Sequence, residues 1–413
     1  MTAISPSSRP CPICISDDWE IVLPLMATPL GDRLSATKDK ALSLPKYPLD
    51  LALCSKCGHT FLPMVVPPEE SYNDYFFETS DSPGLSMSMK RLTEQLWLKS
   101  EKNKVSYVLD IGSNDGTWLQ HFKTIGASVL GIEPSVRHAE ESTARGIPTI
   151  NDYFTTESAK KIKRDRGSPD LITANFVTAN VPDLQDFFRG LSELSRDQTT
   201  IAILTGYHPE QFRVNMFDFI YHEHTSYFSC QDLVNLGSKF DLTLTDVRRV
   251  GLKGGSLQAI FRTKNSNTPI NEDVNRLIQY ENWTGVKKKS FFIELSERLK
   301  IAKQQTHEIL KQVSAKKIAG YGVSHSVTTL IHHFELTEKI SALTDDNIRR
   351  QGRFAPGSGL SVISPDEVIK QNFDTVIVMA WQHDRLIKKR LNEIGFSGSV
   401  IQPLPSAVAS TGA

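Results

Sequence analysis

The densest group of chemically active side chains in the sequence is Tyr221-His222-Glu223-His224, with a phenol, a carboxylate and two imidazoles in four consecutive positions. An imidazole changes charge near neutral pH, so a histidine in such a group is suited to take a proton from a substrate. We interpret the segment as an acid–base site with His224 as the base, and His222 stays open as an alternative. An H-x-H metal site and a plain solvated loop are the other interpretations of these residues.

A second group of residues has the features of a ligand cradle. The stretch from Val105 to Phe122 reads as an apolar strand, a turn and the start of a helix. Gly112 and Gly116 lie in the turn, where glycine lets the backbone approach a ligand closely and the helix offers unpaired N–H groups. Asn114 occupies the place of a middle glycine and Asp110 ends the strand, which disfavours a pyrophosphate and favours a cationic ligand.

The strands that follow supply further polar groups at the same predicted edge. The strand at 127–132 ends in Glu133, placed about twenty residues beyond the loop and suited to bind two ribose hydroxyls. Asp152 and Asn175 come after the next strands and are expected to face the same ligand. Loop and acid together predict an S-adenosylmethionine site, and the alternative is an ordinary α/β turn capped by Asp and Asn.

The cysteines predict a metal centre. Four of the five form two C-x-x-C pairs, Cys11/Cys14 and Cys54/Cys57. Two such pairs give a tetrahedral four-sulfur zinc site, which has no open position and therefore a structural role. A redox dithiol is the alternative, but neither pair opens a thioredoxin-like βαβ unit.

Composition limits the partners. The 413 residues carry 47 Lys+Arg and 47 Asp+Glu, so no basic excess points to nucleic acid or to an anionic membrane. The sequence shows neither a long apolar run nor a signal peptide, and we expect a monomeric, cytoplasmic protein.

An α/β fold must position these groups. Strands are predicted near 105–111, 127–132, 170–174, 200–205 and 256–262, with helical patterns between most of them. We divide the chain into a zinc-binding domain (1–66), a helical lead-in (67–100), a central Rossmann-like domain (101–265), a helical linker (266–312) and a C-terminal Rossmann-like domain (313–413).

The last domain opens with a glycine turn of its own, Gly320-Tyr321-Gly322. A nicotinamide oxidoreductase would need G-x-G-x-x-G there, and His325 stands where the third glycine belongs. A zinc-knuckle scaffold without catalysis is the non-enzymatic alternative, and it should carry a basic face.

Several motifs agree with one family when they are taken together in chain order. They are CPIC, CSKCGH, LDIGSNDGT, GIEPS, YHEHTSYFS, GGSLQ, GYG and DDNIRRQGRFAPG. The chain resembles the bacterial sugar C-methyltransferases, which methylate carbon 3 or 5 of nucleotide-linked 4-keto-6-deoxy sugars in deoxysugar biosynthesis. The resemblance covers essentially the whole chain. Three departures lie at Lys253, where family members often have histidine, at Pro182, where an acid is usual, and at Val323-Ser-His-Ser, where the family commonly reads like APAKG.

The resemblance implies a function and a set of site residues. It implies base-catalysed enolate formation and methyl transfer, at carbon 3 in preference to carbon 5, with the nucleotide part of the substrate against the C-terminal domain. An O- or N-methyltransferase is the alternative. The implied residues are Cys11, Cys14, Cys54 and Cys57 for zinc, Gly112, Asn114, Glu133, Asp152 and Asn175 for the methyl donor, and Tyr221, Glu223, His224 and Tyr75 for catalysis.

Overall fold

A computed structural model gives the structure of residues 9–67, 83–99, 106–313 and 316–411. The strands of these residues form sheets of four, seven and six strands. In chain order they are β1 (Trp19–Leu23), β2 (Leu51–Cys54), β3 (Thr60–Phe61), β4 (Tyr107–Ile111), β5 (Ser128–Ile132), β6 (Thr149–Ile150), β7 (Leu171–Asn175), β8 (Thr200–Gly206), β9 (Ser226–Tyr227), β10 (Leu242–Val250), β11 (Ser256–Thr263), β12 (Ile318–Tyr321), β13 (Ala342–Thr344), β14 (Val362–Ile363), β15 (Thr375–Val378), β16 (Ser399–Gln402) and β17 (Val408–Thr411).

The α-helices lie between these strands in chain order, and two successive helices join the central sheet to the C-terminal sheet. They are α1 (Lys38–Leu42), α2 (Pro83–Lys99), α3 (Thr117–Thr124), α4 (Val136–Ala144), α5 (Thr156–Arg166), α6 (Leu184–Leu194), α7 (His208–Arg213), α8 (Cys230–Ser238), α9 (Glu272–Thr284), α10 (Lys289–Gln312), α11 (His325–His333), α12 (Pro365–Lys370) and α13 (Asp384–Glu393). Within the residues that the structure describes, no helix is both long and apolar enough to cross a membrane.

The central sheet has the strand order β10-β11-β8-β7-β4-β5-β6. Strands β6, β5, β4, β7 and β8 are parallel, and β11 runs antiparallel between β8 and β10. The order reverses direction between β4 and β7, so a crevice opens where these two strands end. This confirms the predicted α/β class, and it brings the turn that contains Gly112 next to the end of β7.

Strand β10 was not among the predicted strands. Its alternation of apolar residues is broken by a register shift between Leu244 and Asp246 in the pairing with β11. A bulge of this kind moves the later side chains to the opposite face. The period of two therefore does not persist through the segment, and the sequence pattern hides the strand.

The zinc-binding segment does not close its own sheet. Strand β9 completes the order β1-β2-β3-β9, with Thr60 opposite Tyr227 and Phe61 opposite Ser226. Phe61 also packs into the same buried core as the central sheet. The N-terminal sheet is thus built partly from the residues that directly follow His224.

The C-terminal sheet has the order β14-β13-β12-β15-β16-β17, and only β17 in it is antiparallel. This is a second doubly wound unit, as the repeated strand–glycine turn–helix pattern predicts. Helix α10 buries Phe292, Leu295 and Leu299 in the core that it shares with this sheet.

Candidate active site

The turn after β4 contains three residues with left-handed backbone conformation within five positions. Gly112, Asn114 and Gly116 have φ angles of 66°, 50° and 78°. A Cβ atom on Gly112 would lie 2.8 Å from Cγ2 of Val177, and one on Gly116 would collide with the hydroxyl of Ser142. Both glycines are therefore required by the positive φ and by neighbouring side chains, in addition to any approach of a ligand.

Glu133 lies beside this turn at the end of β5. Its Oε2 accepts from the N–H of Asn114 at 2.9 Å, and its Oε1 accepts from the N–H of Ser135 at 2.9 Å. Burial raises the pKa of this carboxyl group, and the two N–H groups oppose that shift. A carboxylate has about four acceptor positions, so two remain for the vicinal hydroxyls of a ribose. The arrangement fits the adenosine part of S-adenosylmethionine.

Asp110 is buried inside the sheet. Its Oδ1 accepts from the hydroxyl of Thr173 at 2.6 Å and from the amide of Asn175 at 3.2 Å. Burial raises the pKa of Asp110 to about 7. The carboxyl group joins β4 to β7 and sets the orientation of Asn175, whereas the sequence suggests a charge presented directly to the ligand.

Asp152 is exposed, and its Oδ1 accepts from the N–H of Tyr153 at 2.8 Å. Its neighbour Asn151 donates to the carbonyls of Glu133 and Pro134, each at 3.0 Å. These two bonds hold the end of β6 against the end of β5. They keep Asp152 close to Glu133 at the same edge of the sheet.

Tyr221 and His224 form a hydrogen-bonded pair. The Tyr221 hydroxyl lies 2.8 Å from Nε2 of His224, and Nδ1 of His224 lies 3.1 Å from the carbonyl oxygen of Phe219. A carbonyl oxygen only accepts, so Nδ1 carries the proton and Nε2 accepts from the phenol. Burial first, and then the charge of Lys253, lower the pKa of His224 to about 3. The imidazole is therefore neutral at physiological pH and has its basic nitrogen at Nε2.

The side chains between Tyr221 and His224 point elsewhere. Nε2 of His222 lies 3.2 Å from the carbonyl oxygen of Tyr47 in the N-terminal segment. Oε1 of Glu223 lies 3.7 Å from Nε2 of His325, the first residue of α11. The structure thus brings Tyr221 and His224 together, and it directs Glu223 to the C-terminal unit and not to the His224 ring.

Residues after β7 connect the glycine turn to the Tyr221–His224 pair. Val177 covers Gly112, and the N–H of Thr225 donates to the carbonyl of Ala179 at 2.7 Å. Phe176, Ala179 and His224 line a cavity of about 20 Å³, room for one or two water molecules. The segment with the candidate base therefore lies at the mouth of the candidate cofactor site. Tyr75 and the aromatic stretch around it lie outside the described residues.

Lys253 completes the wall of this cavity. Its Nζ lies 4.0 Å from the centroid of the Phe176 ring, a cation–π contact. The sequence marks this lysine only as a departure from the usual histidine. The available signal is the GLKGG turn, because two consecutive glycines are typical of the loop of a β-hairpin, and such a loop holds its residues in defined backbone conformations.

The four paired cysteines converge on one point. Their sulfur atoms all lie within 4.8 Å of one another, with Cys11–Cys57 at 3.6 Å and Cys14–Cys54 at 3.4 Å. Sulfurs about 3.8 Å apart are expected around a tetrahedral zinc ion with bonds of about 2.3 Å. The four thiols fit zinc. His59 is fully buried and lies 3.5 Å from Asp232, outside the group.

Family models match three successive parts of the chain. A model described as "Putative zinc binding domain" matches residues 11–72, one described as "Methyltransferase domain" matches 85–247, and one described as "C-methyltransferase C-terminal domain" matches 251–405. C-methyltransferase NovU from Streptomyces niveus is 27% identical over 399 residues, which are 96% of this chain and 95% of that protein.

Solved structures give looser similarities. A protein from Pyrococcus horikoshii is 14% identical, covers 47% of this chain and 99% of its own, and superposes with a TM-score of 0.37. A SAM-dependent methyltransferase from Anabaena variabilis is 13% identical, with coverage of 43% and 85% and a TM-score of 0.36. Superpositions this loose do not define the site.

Proposed function

We propose that this chain acts on a nucleotide-linked 4-keto-6-deoxy sugar. The chain is a SAM-dependent methyltransferase and belongs to the C-methyltransferases with an N-terminal zinc-binding domain. The reaction is transfer of a methyl group to the carbon next to the ketone, at carbon 3 in preference to carbon 5. The observation that carries the proposal is the Tyr221–His224 pair beside the cofactor turn, because a carbon acid needs a base and an O- or N-methylation of a good nucleophile does not.

His224 takes the proton from the sugar carbon at Nε2. The bond from Nδ1–H to the Phe219 carbonyl fixes the tautomer and the ring plane, as the third member of a triad does. The low pKa of His224, caused by burial, keeps the imidazole neutral and able to accept a proton. The enolate that then forms next to the ring stabilises the imidazolium and raises the pKa of His224 during the step.

Tyr221 has two successive partners in this scheme. Its hydroxyl first donates to Nε2 of His224, as in the structure. Nε2 has one lone pair, so this hydrogen bond must break before Nε2 takes the carbon proton, and the phenol proton is then available to the ketone oxygen as it becomes an enolate. Stabilisation of such an oxygen by a positioned donor contributes about 10²–10³ in rate.

The cofactor residues would hold the methyl donor beside the substrate. Glu133 would bind the ribose hydroxyls, and Asn114, Asp152 and Asn175 at the same edge of the sheet would contact the rest of the ligand. The bound cofactor supplies a methyl group that its sulfonium charge already activates. Asp110 orients Asn175 through its carboxyl group, and the two turn glycines shape the backbone of the site. Alignment of the reactants then provides much of the rate enhancement.

The test is incubation of the purified protein with S-adenosylmethionine and a panel of nucleotide-linked sugars, followed by mass spectrometry. Each 4-keto-6-deoxy sugar is paired with its 4-hydroxy counterpart as control. We expect a mass gain of one methylene on a keto sugar and none on the alcohols, since only the ketone acidifies the carbon. Methylation of the alcohols at oxygen would replace this proposal with O-methyl transfer.

A further inference from the structure

The hairpin between β10 and β11 has an unusual backbone at its tip. Lys253, Gly254 and Gly255 have φ angles of 47°, 75° and 125°. The left-handed region of backbone conformation is sterically unfavourable for lysine, and glycine adopts it at lower cost. Such a residue persists because its surroundings impose the conformation, and non-glycine residues of this kind are concentrated at functional sites.

Residues outside the hairpin hold the backbone of Lys253 in this conformation. Its carbonyl accepts from the side-chain amide of Gln211 at 3.0 Å, and the next peptide unit is covered by Met216, whose sulfur would collide with a Cβ atom on Gly254. The carbonyl of Gly255 accepts from the N–H of Tyr207 at 3.1 Å. These contacts leave the side chain of Lys253 directed over the Phe176 ring and into the cavity that His224 lines.

We propose that Lys253 is a catalytic residue whose ammonium group donates a hydrogen bond to the ketone oxygen of the sugar and stabilises the enolate. The inference rests on the proposed function and adds a second donor to Tyr221. Lys253 and His224 line the same small cavity. Enolisation requires this arrangement, with a hydrogen-bond donor at the ketone oxygen and a base at the adjacent carbon.

The proton and electron movements balance without another reactant. His224 removes the proton, the C–H pair forms the C=C bond, and the C=O π pair moves to the oxygen that Lys253 contacts. The oxygen then returns its pair to re-form C=O, the C=C pair makes the new carbon–methyl bond, and the sulfur of the methyl donor keeps the pair of the broken sulfur–methyl bond. His224 afterwards releases its proton to solvent. Lys253 keeps its proton throughout, and its lowered pKa of about 8, caused by burial, still leaves it mostly charged at pH 7.

Lysine variants separate this role from binding and from folding. Lys253→Met keeps the stem and removes the charge, Lys253→Arg keeps the charge, and Lys253→Gly suits the left-handed backbone. The substrate probe is dTDP-4-keto-6-deoxyglucose, or whichever keto sugar of the panel reacts best. Exposed Lys264→Met is the matched control for loss of one positive charge.

We expect Lys253→Met and Lys253→Gly to lower kcat about 10²–10³-fold with KM changed by less than about fivefold, because the oxygen is far more basic in the transition state. Lys253→Arg should recover at least about tenfold of that loss. Lys253→Gly should melt at the same temperature as the wild type or higher. The Lys264→Met control should match the wild type in all three measurements.

Three outcomes would overturn the inference. An unchanged kcat with a raised KM would make Lys253 a ground-state binding residue, for example for a phosphate. A lowered melting temperature that accounts for the lost activity would make it structural. A protein adduct after borohydride treatment with the keto sugar would mean an imine in place of a hydrogen bond. A wild type inactive on every keto sugar would instead overturn the proposed function, and this inference with it.

Discussion

The carboxylate of Glu223 lies 3.7 Å from Nε2 of His325, and the ring of His325 stacks on Tyr221 with centroids 5.3 Å apart. Gly31 of the N-terminal segment presses against the backbone of the same histidine. All three parts of the chain therefore meet at the segment that holds the proposed base. Glu223 connects that segment to α11, while the Phe219 carbonyl does the work of orienting His224.

A matched pair of histidine variants tests which imidazole is the base. His224→Gln removes the basic nitrogen, and we expect methyl transfer to fall about 10²–10⁴-fold. Binding of S-adenosylhomocysteine, measured by calorimetry, should stay within about threefold of the wild type, because the His224 ring is held by Tyr221 and Phe219 whereas Glu133 is held by the glycine turn.

His222→Gln is the control, since glutamine can still donate to the Tyr47 carbonyl that His222 contacts. We expect this variant to retain most of the activity. If His222→Gln lost the activity and His224→Gln kept it, the roles of the two histidines would have to be exchanged.

The sequence predicts the parts of this site that depend on local patterns. The strand–glycine turn–helix around Gly112 and the acid at Glu133 occur where expected, because periodicity and turn chemistry are local. The four cysteines also converge as their spacing predicts. What the sequence cannot give are contacts made across the chain.

Three such contacts decide the site. The pairing of β9 with β3, the direction of Glu223 towards His325, and the inward aim of Lys253 each depend on residues far away in sequence. Adjacent side chains such as Glu223 and His224 point apart because the loop turns between them. No periodic pattern records that turn, so the sequence suggests a single cluster.

Glu133 is predicted to bind the ribose of the cofactor. Glu133→Gln replaces one acceptor oxygen with a donor, and we expect affinity for S-adenosylhomocysteine to fall about 10–100-fold, equivalent to about 1–3 kcal/mol. Exposed Glu157→Gln is the control and should bind as the wild type does. Calorimetry measures both variants, with melting curves of the free proteins to show that the turn is intact. Equal affinity for all three proteins would remove Glu133 from the cofactor site.

Zinc is predicted to support the catalytic segment as well as the N-terminal sheet. Cys14→Ser should abolish stoichiometric zinc, measured by mass spectrometry of metal content. Because Leu62 donates to the carbonyl of Thr225 at 3.0 Å and β3 pairs with β9, disorder of this sheet should also abolish methyl transfer.

Cys230→Ala is the control for the zinc experiment, since this buried cysteine lies outside the four-sulfur group. It should keep both zinc and activity. Full activity in a zinc-free Cys14→Ser protein would show that the metal does not support the site.

Asp218 is predicted to make stability depend on pH. It is fully buried, its Oδ2 accepts from Nε1 of Trp381 at 3.1 Å, and burial raises its pKa to about 7. A raised carboxyl pKa means that the folded state binds more protons, so this contribution to stability is present below pH 4 and is lost as the pH rises to 7. The loss over this whole range is on the order of 4 kcal/mol, from a pKa that rises from 3.8 to about 7.

Asp218→Asn cannot ionise, so we expect its free energy of unfolding to fall less than that of the wild type between pH 5 and pH 8. Denaturant titrations at both pH values measure the free energy of unfolding of each protein. Asp110 is present in both proteins, so its similar contribution cancels when the two pH dependences are subtracted. Exposed Asp165→Asn should follow the wild type. A parallel loss in Asp218→Asn and wild type would show that Asp218 does not cause the pH dependence.

Solvent exchange at the sugar carbon tests the central claim most directly. The protein is incubated in D₂O with dTDP-4-keto-6-deoxyglucose and S-adenosylhomocysteine, which permits proton removal and blocks methyl transfer. We predict deuterium uptake next to the ketone well above the rate without protein for the wild type, and background uptake for His224→Gln. Methyl transfer to the sugar without any enzyme-dependent exchange, or exchange by His224→Gln at the wild-type rate, would contradict the account.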